Sequence, residues 1–191
     1  MKVTVRQVET PKCSIDIEEV ATHASNEHGC GREFDPRAIG RHVYNAVKDP
    51  ERKHINGWVA YDEELKPVGY LVATMRESMY SFRSYAIQEM WYVLPHARKA
   101  SMAGLMLLHA FDKWATERNA ERIYMQVEHD QDERLIERVF RLMETMGYKK
   151  QGYIGVKVVN SNCNTNANKD SSNDRSTHRV VGADERQAAQ P

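Results

Sequence analysis

The sequence predicts a single α/β domain built on a mixed sheet, and three observations carry the prediction. Two helical stretches are followed by three strands in a row, so the hydrophobic period switches once from about 3.6 to 2. The last of those strands, Tyr85–Leu94, ends at Pro95 and leads into a strongly helical stretch from Ser101. From Asn160 the composition turns to Asn, Ser, Asp, Thr and Ala without periodicity. A chain of 191 residues therefore reads as one domain, residues 1–159, followed by a disordered polar tail, residues 160–191.

The elements follow in order. Val3 and Val5 alternate with Thr4 and Arg6 as a half-buried strand, which Pro11 ends. Ser14 is the expected cap of a helix carrying Ile15, Ile17, Val20 and Ala21, broken at Gly29-Cys30-Gly31. Asp35-Pro36 supplies a cap and a first-turn proline for a second helix, with Ile39, Val43, Tyr44 and Val47 on its inner side. Trp58–Tyr61 and Val68–Thr74, joined by the polar turn Asp62–Lys66, read as a hairpin. Tyr85–Leu94 is the next strand, with Ile87, Glu89, Trp91 and Val93 on one face and Gln88, Met90 and Tyr92 on the other. A helix from Ser101 to Arg118, a short strand Ile123–Val127, a helix Gln131–Met146 stopped by Gly147, and a closing strand Tyr148–Val159 complete the domain. The order is β-α-α-β-β-β-α-β-α-β.

Composition narrows the classes of function. Lys and Arg number 27, as do Asp and Glu, which argues against a protein that coats nucleic acid through a general basic excess. Hydrophobic residues make up 41% of the chain, enough for a core, while a mean hydropathy of -0.69 implies a sizeable solvated fraction. No apolar run approaches the ~20 residues of a membrane span, and Met1–Thr10 has no apolar segment of a secretory signal. Three cysteines, Cys13, Cys30 and Cys163, form no disulfide framework, so a cytoplasmic setting is expected. Cys13, His23, His28 and Cys30 lack paired metal-ligand spacing, and no metal is expected. No elbow motif supports a serine or cysteine nucleophile.

The junction between strand Tyr85–Leu94 and the helix near Ser101 carries the chemistry. A loop of small residues entering a helix leaves backbone N–H groups unpaired, and with the helix dipole they form a site for an anion such as pyrophosphate. Ala100, Ser101, Ala103 and Gly104 are small enough for a ligand to approach the backbone, and Arg98 and Lys99 add positive charge. Glu89 is the best-placed carboxylate. It reads either as a general base beside a cleft or as an ion-pair partner. Arg37, Arg41, His42, Lys48, Arg52, Lys53 and His54 form a basic cluster on the second helix and its exit, which reads as a solvated face or as a rim for a polyanion.

The sequence Val93-x-Pro95-x-x-Arg98-Lys99-x-Ser101-x-Ala103, together with the order of elements from Lys2 to Val159, resembles the GNAT superfamily of N-acetyltransferases. Its signature there is V-x-P-x-x-R-x-x-G-x-G/A. Met146-Gly147-Tyr148 is similar to the family's G-F/Y after the last helix. The resemblance implies a GNAT fold with a splayed central strand pair and direct transfer of acetyl from acetyl-CoA to a primary amine. The amine belongs to a small molecule, a protein or an amino-modified nucleobase. It assigns the pantetheine arm to backbone groups of Val93 and Leu94, and the pyrophosphate to Arg98, Lys99, Ala100, Ser101, Met102, Ala103 and Gly104. Glu89 becomes the candidate general base, because an ammonium must lose a proton before it attacks a thioester.

Departures from the pattern are specific. Ser101 stands where a loop glycine is usual, Ile136 where a pantetheine-contacting asparagine is common, and Met143 where a tyrosine often protonates the leaving thiolate. Tyr92, Tyr148 and Tyr153 are the possible substitutes. The alternative reading is a GNAT-like binding or virion-structural module without turnover. On the acceptor side, the first two helices border the cleft, so Arg37, Arg41, Lys48, Arg52 and Lys53 become candidate contacts to DNA or RNA. A bacterial or bacteriophage source, a cytoplasmic location and a monomer or homodimer are the remaining expectations.

Overall fold

The computed structural model describes residues 2–28, 35–49, 54–79, 83–100, 102–126 and 133–150. Residues Met1–Lys150 cluster as one compact unit. The predicted strand Tyr148–Val159 from residue 151 onward, and the expected tail, lie outside the described residues.

The chain runs β1 (Thr4–Gln7), α1 (Pro11–His28), α2 (Pro36–Lys48), β2 (Ile55–Tyr61), β3 (Pro67–Glu77), β4 (Ser84–Val93), α3 (Pro95–Ala100), α4 (Ala103–Glu117), β5 (Arg122–Tyr124) and α5 (Glu133–Thr145). The five strands form one sheet in chain order, antiparallel from β1 to β4 and parallel between β4 and β5. Parallel pairing requires a crossover, which α3 and α4 supply. This is the mixed α/β architecture that the sequence predicts.

Each face of the sheet carries its own core. On one side α1 and α2 bury Ile17, Val20, Ala21 and Val43 against Val59, Tyr70, Val72 and Tyr92. On the other, α4 buries Leu107, Leu108, Phe111 and Trp114 against Trp58, Leu71, Ala73 and Val93, with Leu142 and Met146 near α5 packed alongside. The pair α1–α2 is very tight, because the α-carbon of Gly40 faces the backbone carbonyl of Ser14. Burying one large apolar side chain contributes roughly 1.5–3 kcal/mol, so these two layers fix the sheet between them.

Several boundaries differ from the expectation. The first helix begins at Pro11, not at Ser14. Proline lacks the N–H that a first helical residue leaves unbonded anyway, so it starts the helix as well as ending the strand. Asp35 behaves as predicted, its side chain accepting from the Arg37 N–H at 3.0 Å. Gly147 closes α5 at φ 88°, the left-handed stop expected of it.

Candidate functional site

The face assignment of β4 is corrected by a bulge. Val72 pairs with Met90 and Ala73 with Gln88, so Glu89 is one extra residue opposite the β3 ladder. Alternation resets there. Ala86 joins Trp91 and Val93 on the α4 side, while Met90 and Tyr92 pack on the α1–α2 side. Ile87 and Glu89 therefore do not share a face with Trp91 and Val93. A bulge re-aims the side chain it inserts, and here that side chain is the candidate base.

The Glu89 carboxylate accepts from the Thr74 hydroxyl at 2.5 Å and from the Arg76 guanidinium at 2.8 Å. Its side chain is 34% exposed, so it is reachable from solvent while held by two donors. Thr74 and Arg76 stand on alternate positions of β3 with Tyr70 and Val72, which places the carboxylate on the α1–α2 side. The ion-pair reading of Glu89 is thus observed, and it leaves the carboxylate accessible.

Beyond the bulge the sheet forks. Pairing between β4 and β5 is confined to Tyr85–Arg122, Ala86–Ile123 and Ile87–Tyr124. Gln88, buried in the fork, accepts the Gln126 N–H on its side-chain oxygen at 3.1 Å. From there to Val93 the outer edge of β4 has no strand partner among the described residues. Gln88 is a buried position at the end of the β4–β5 pairing that sequence reasoning did not single out. A glutamine within a strand is unremarkable until the neighbouring strand departs.

The last peptide of this edge is fixed on both sides. The Leu94 N–H donates to Val68 O at 2.9 Å, so Leu94's amide is spent on the sheet. Strand alternation turns the backbone groups of Val93 to the open edge. There the Val93 carbonyl accepts from Arg98 Nε at 2.8 Å. The Val93 N–H is the donor this arrangement aims at the fork.

Arg98 also lies differently from the expectation. Residues 95–100 form the short helix α3 where a loop is predicted, since Pro95 starts a helical turn as readily as it ends a strand. The Arg98 guanidinium makes a two-pronged pair with Glu27 of α1, at 2.7 Å and 2.6 Å. Tyr92 donates its hydroxyl to the same carboxylate at 2.5 Å. The Glu27 hydrogen bonds raise Arg98 above its already high value. Burial, then the bond to Glu27, raises the Tyr92 phenol.

The remaining cofactor candidates separate into two groups. Met102 is exposed and, as the N-cap of α4, makes no side-chain capping hydrogen bond. Ala103 is fully buried, and a side chain at Gly104 would meet the Trp91 indole at 3.1 Å. Their small size serves packing of α4 on β4. Lys99 and Ala100 lie in α3, their side chains outside the described residues, as is Ser101.

The substitutes for the missing acid are otherwise engaged. Met143 is buried at 3% exposure. Tyr148 donates its hydroxyl to Asp112 at 2.8 Å, and burial, then that bond, raises its phenol. Tyr153 lies outside the described residues. On α2, Arg37, Arg41, His42 and Lys48 are exposed. Arg37 pairs with Glu18 at 3.3 Å, and Lys48 lies over the Tyr44 ring. Arg52 and Lys53 lie outside the described residues. Among the described residues no group of three or more His, Cys, Asp or Glu could hold a metal ion, and no helix is long and apolar enough to cross a membrane.

Known structures share this fold. No curated protein matches the chain by sequence. An aminoglycoside N-acetyltransferase, AAC(6')-Iy, solved with a CoA-containing bisubstrate analog, superposes with a TM-score of 0.63 at 14% identity, over 83% of this chain and 98% of that one. The ribosomal-protein-alanine N-acetyltransferase of Brucella melitensis biovar Abortus 2308 gives a TM-score of 0.60 at 11% identity, over 83% and 100%. An acetyltransferase of Trypanosoma brucei gives 0.60 at 14%, over 82% and 100%. At these identities the likeness is one of fold. Residues 17–148 match the model of the acetyltransferase (GNAT) family, a span that holds the forked strands, the bulge and the β4–α4 junction, and the chain belongs to that family.

Proposed function

We propose that this acetyltransferase moves acetyl from acetyl-CoA directly to a primary amine, with Glu89 as general base. One observation carries the reading: the outer edge of β4 from Gln88 to Val93 has no strand partner among the described residues and leads to the start of α4, where Met102 makes no side-chain capping bond. The Val93 N–H offers a donor to an amide-bearing arm, and the α4 turn offers several to an anion. Glu89 lies four residues upstream of Val93, about 13 Å along the strand at roughly 3.3 Å per residue.

The chemistry follows from these positions. Glu89 takes a proton from the acceptor ammonium, and the free amine attacks the thioester carbonyl. The carbon–sulfur bond then breaks, and CoA leaves as a thiolate. An alkyl thiol of pKa near about 8.5 departs without an obligatory acid. The proton it finally takes comes from the amine or from water, which accommodates Met143 in place of a tyrosine. The acceptor is a small molecule, a protein amino group or an amino-modified nucleobase. The exposed basic face of α2 supports a polyanionic one.

A second reading, a GNAT-like binding module without turnover, is favoured by the buried Met143 and by the donors that hold Glu89. Thiol release from acetyl-CoA, followed with an amine panel and with mass spectrometry of the products, separates the two. Release of CoA with an acetylated amine is expected. Micromolar acetyl-CoA binding without release on any amine supports the binding module, and absence of binding overturns both.

A further inference from the structure

We infer that Glu27 is a positioning residue for the acyl-CoA site, acting through Arg98 on the Val93 peptide; this rests on the proposed cofactor site. Glu27 sits in the last turn of α1, where its carboxylate accepts hydrogen bonds from Arg98 and Tyr92. Its two oxygens take both terminal nitrogens of Arg98, and one of them also takes the Tyr92 hydroxyl. Arg98 then has Nε left to hold the Val93 carbonyl, and its guanidinium lies 5.1 Å from the Tyr92 ring centre. The Arg98 and Glu27 side chains are only 26% and 28% exposed, so the pair is shielded more than a surface ion pair.

The consequence is a division of labour at the junction. Arg98, with Lys99, is expected to bring its charge to the pyrophosphate, yet the charge of Arg98 is met by Glu27. Three of its five N–H groups go to Glu27 and Val93, so a phosphate would meet a guanidinium whose charge already faces a carboxylate. What the pair does is lock the peptide that follows the fork. With the Val93 carbonyl tied to Arg98 and the Leu94 N–H tied to Val68, the Val93–Leu94 peptide is fixed from both sides, which restrains the Val93 torsions and so the orientation of the adjoining Val93 N–H before a ligand arrives. Preorganisation of that donor lowers the cost of binding. Anion binding is left to the first turn of α4.

The opposite view is a latch, in which Glu27 occupies Arg98 until a pyrophosphate displaces it. The two views differ in sign. For a positioning role, Glu27→Gln weakens acetyl-CoA binding about tenfold, the loss expected for one charge-assisted hydrogen-bonded pair. It weakens S-acetylpantetheine, which has no pyrophosphate, by a similar factor. Glu27→Asp restores part of the loss, and Arg98→Lys, which lacks the fork, repeats it. Glu27→Gln combined with Arg98→Lys adds little to either alone.

The test measures acetyl-CoA affinity by calorimetry and S-acetylpantetheine by competition, on full-length variants whose denaturation midpoints are recorded in parallel. Unchanged or tighter acetyl-CoA binding by Glu27→Gln overturns the inference, as does a loss confined to acetyl-CoA. Should Glu27→Gln fail to fold, Glu27→Asp and Arg98→Lys carry the same comparison. Wild-type protein that does not bind acetyl-CoA overturns the proposed function itself. Binding that is indifferent to these substitutions overturns only the role of Glu27.

Discussion

Gly40→Ala poses a contest between two effects of opposite sign. On an isolated helix the change is stabilising by about 1 kcal/mol, because glycine is a poor helix former. In this fold, a β-carbon on Gly40 would lie 2.3 Å from the backbone oxygen of Ser14, where side-chain carbons essentially never come closer than 3.0 Å. The helices α1 and α2 would have to separate by about 0.7 Å at that crossing. The obstacle is backbone in the first turn of the 18-residue helix α1, so no side chain can rotate away. Overpacking of this kind costs about 1–3 kcal/mol. The net expectation is a destabilisation of about 0–2 kcal/mol, or a fall of up to roughly 8 °C in Tm at about 2–4 °C per kcal/mol. Urea unfolding followed by circular dichroism measures it. A variant more stable than wild type by about 1 kcal/mol, the helix-propensity value, would refute the close approach of α1 and α2.

Three further outcomes follow from the site and its surroundings. Glu89→Gln keeps a hydrogen-bond acceptor for Thr74 but removes the base, so kcat/KM falls about 100-fold or more while acetyl-CoA affinity stays near wild type; wild-type turnover by this variant excludes Glu89 as the base. Tyr148→Phe loses its bond to Asp112, lowering stability by about 1–2 kcal/mol with kcat unchanged; a large drop in kcat at preserved stability would make Tyr148 the acid after all. The phenols of Tyr61, Tyr92 and Tyr148 are all raised above their usual value near 10, first by burial and then by donation to Asp16, Glu27 and Asp112. Because the fold favours the neutral phenol, this stability is complete below about pH 10 and is lost as pH rises beyond it. Absorbance at 295 nm should leave these three silent until the protein unfolds, and titration of all nine tyrosines near pH 10 in folded protein would contradict it.

The local elements were legible because each is written in contiguous residues. Asp35-Pro36 caps α2, Gly147 stops α5, and the spacing of Leu107, Phe111 and Trp114 marks the buried stripe of α4. The motif from Val93 to Ala103 identified the family, since its residues lie on one strand end and the helices that follow. The start of α1 was misplaced by three residues, as Pro11 is both a poor strand residue and a good first helical one.

What the sequence by itself determined, then, is the order of elements, the family and the strand-to-helix junction. Tertiary structure alone decided what the junction's residues do. Glu89 reads as an alternating strand residue until β3 supplies the register that makes it a bulge. Arg98 reads as an unpaired cation until Glu27, 71 positions earlier, arrives beside it. Gly104 reads as an open position until folding sets the Trp91 ring against it. Periodicity and capping act within a few residues of the chain, whereas register, ion pairing and packing depend on partners that only folding brings together.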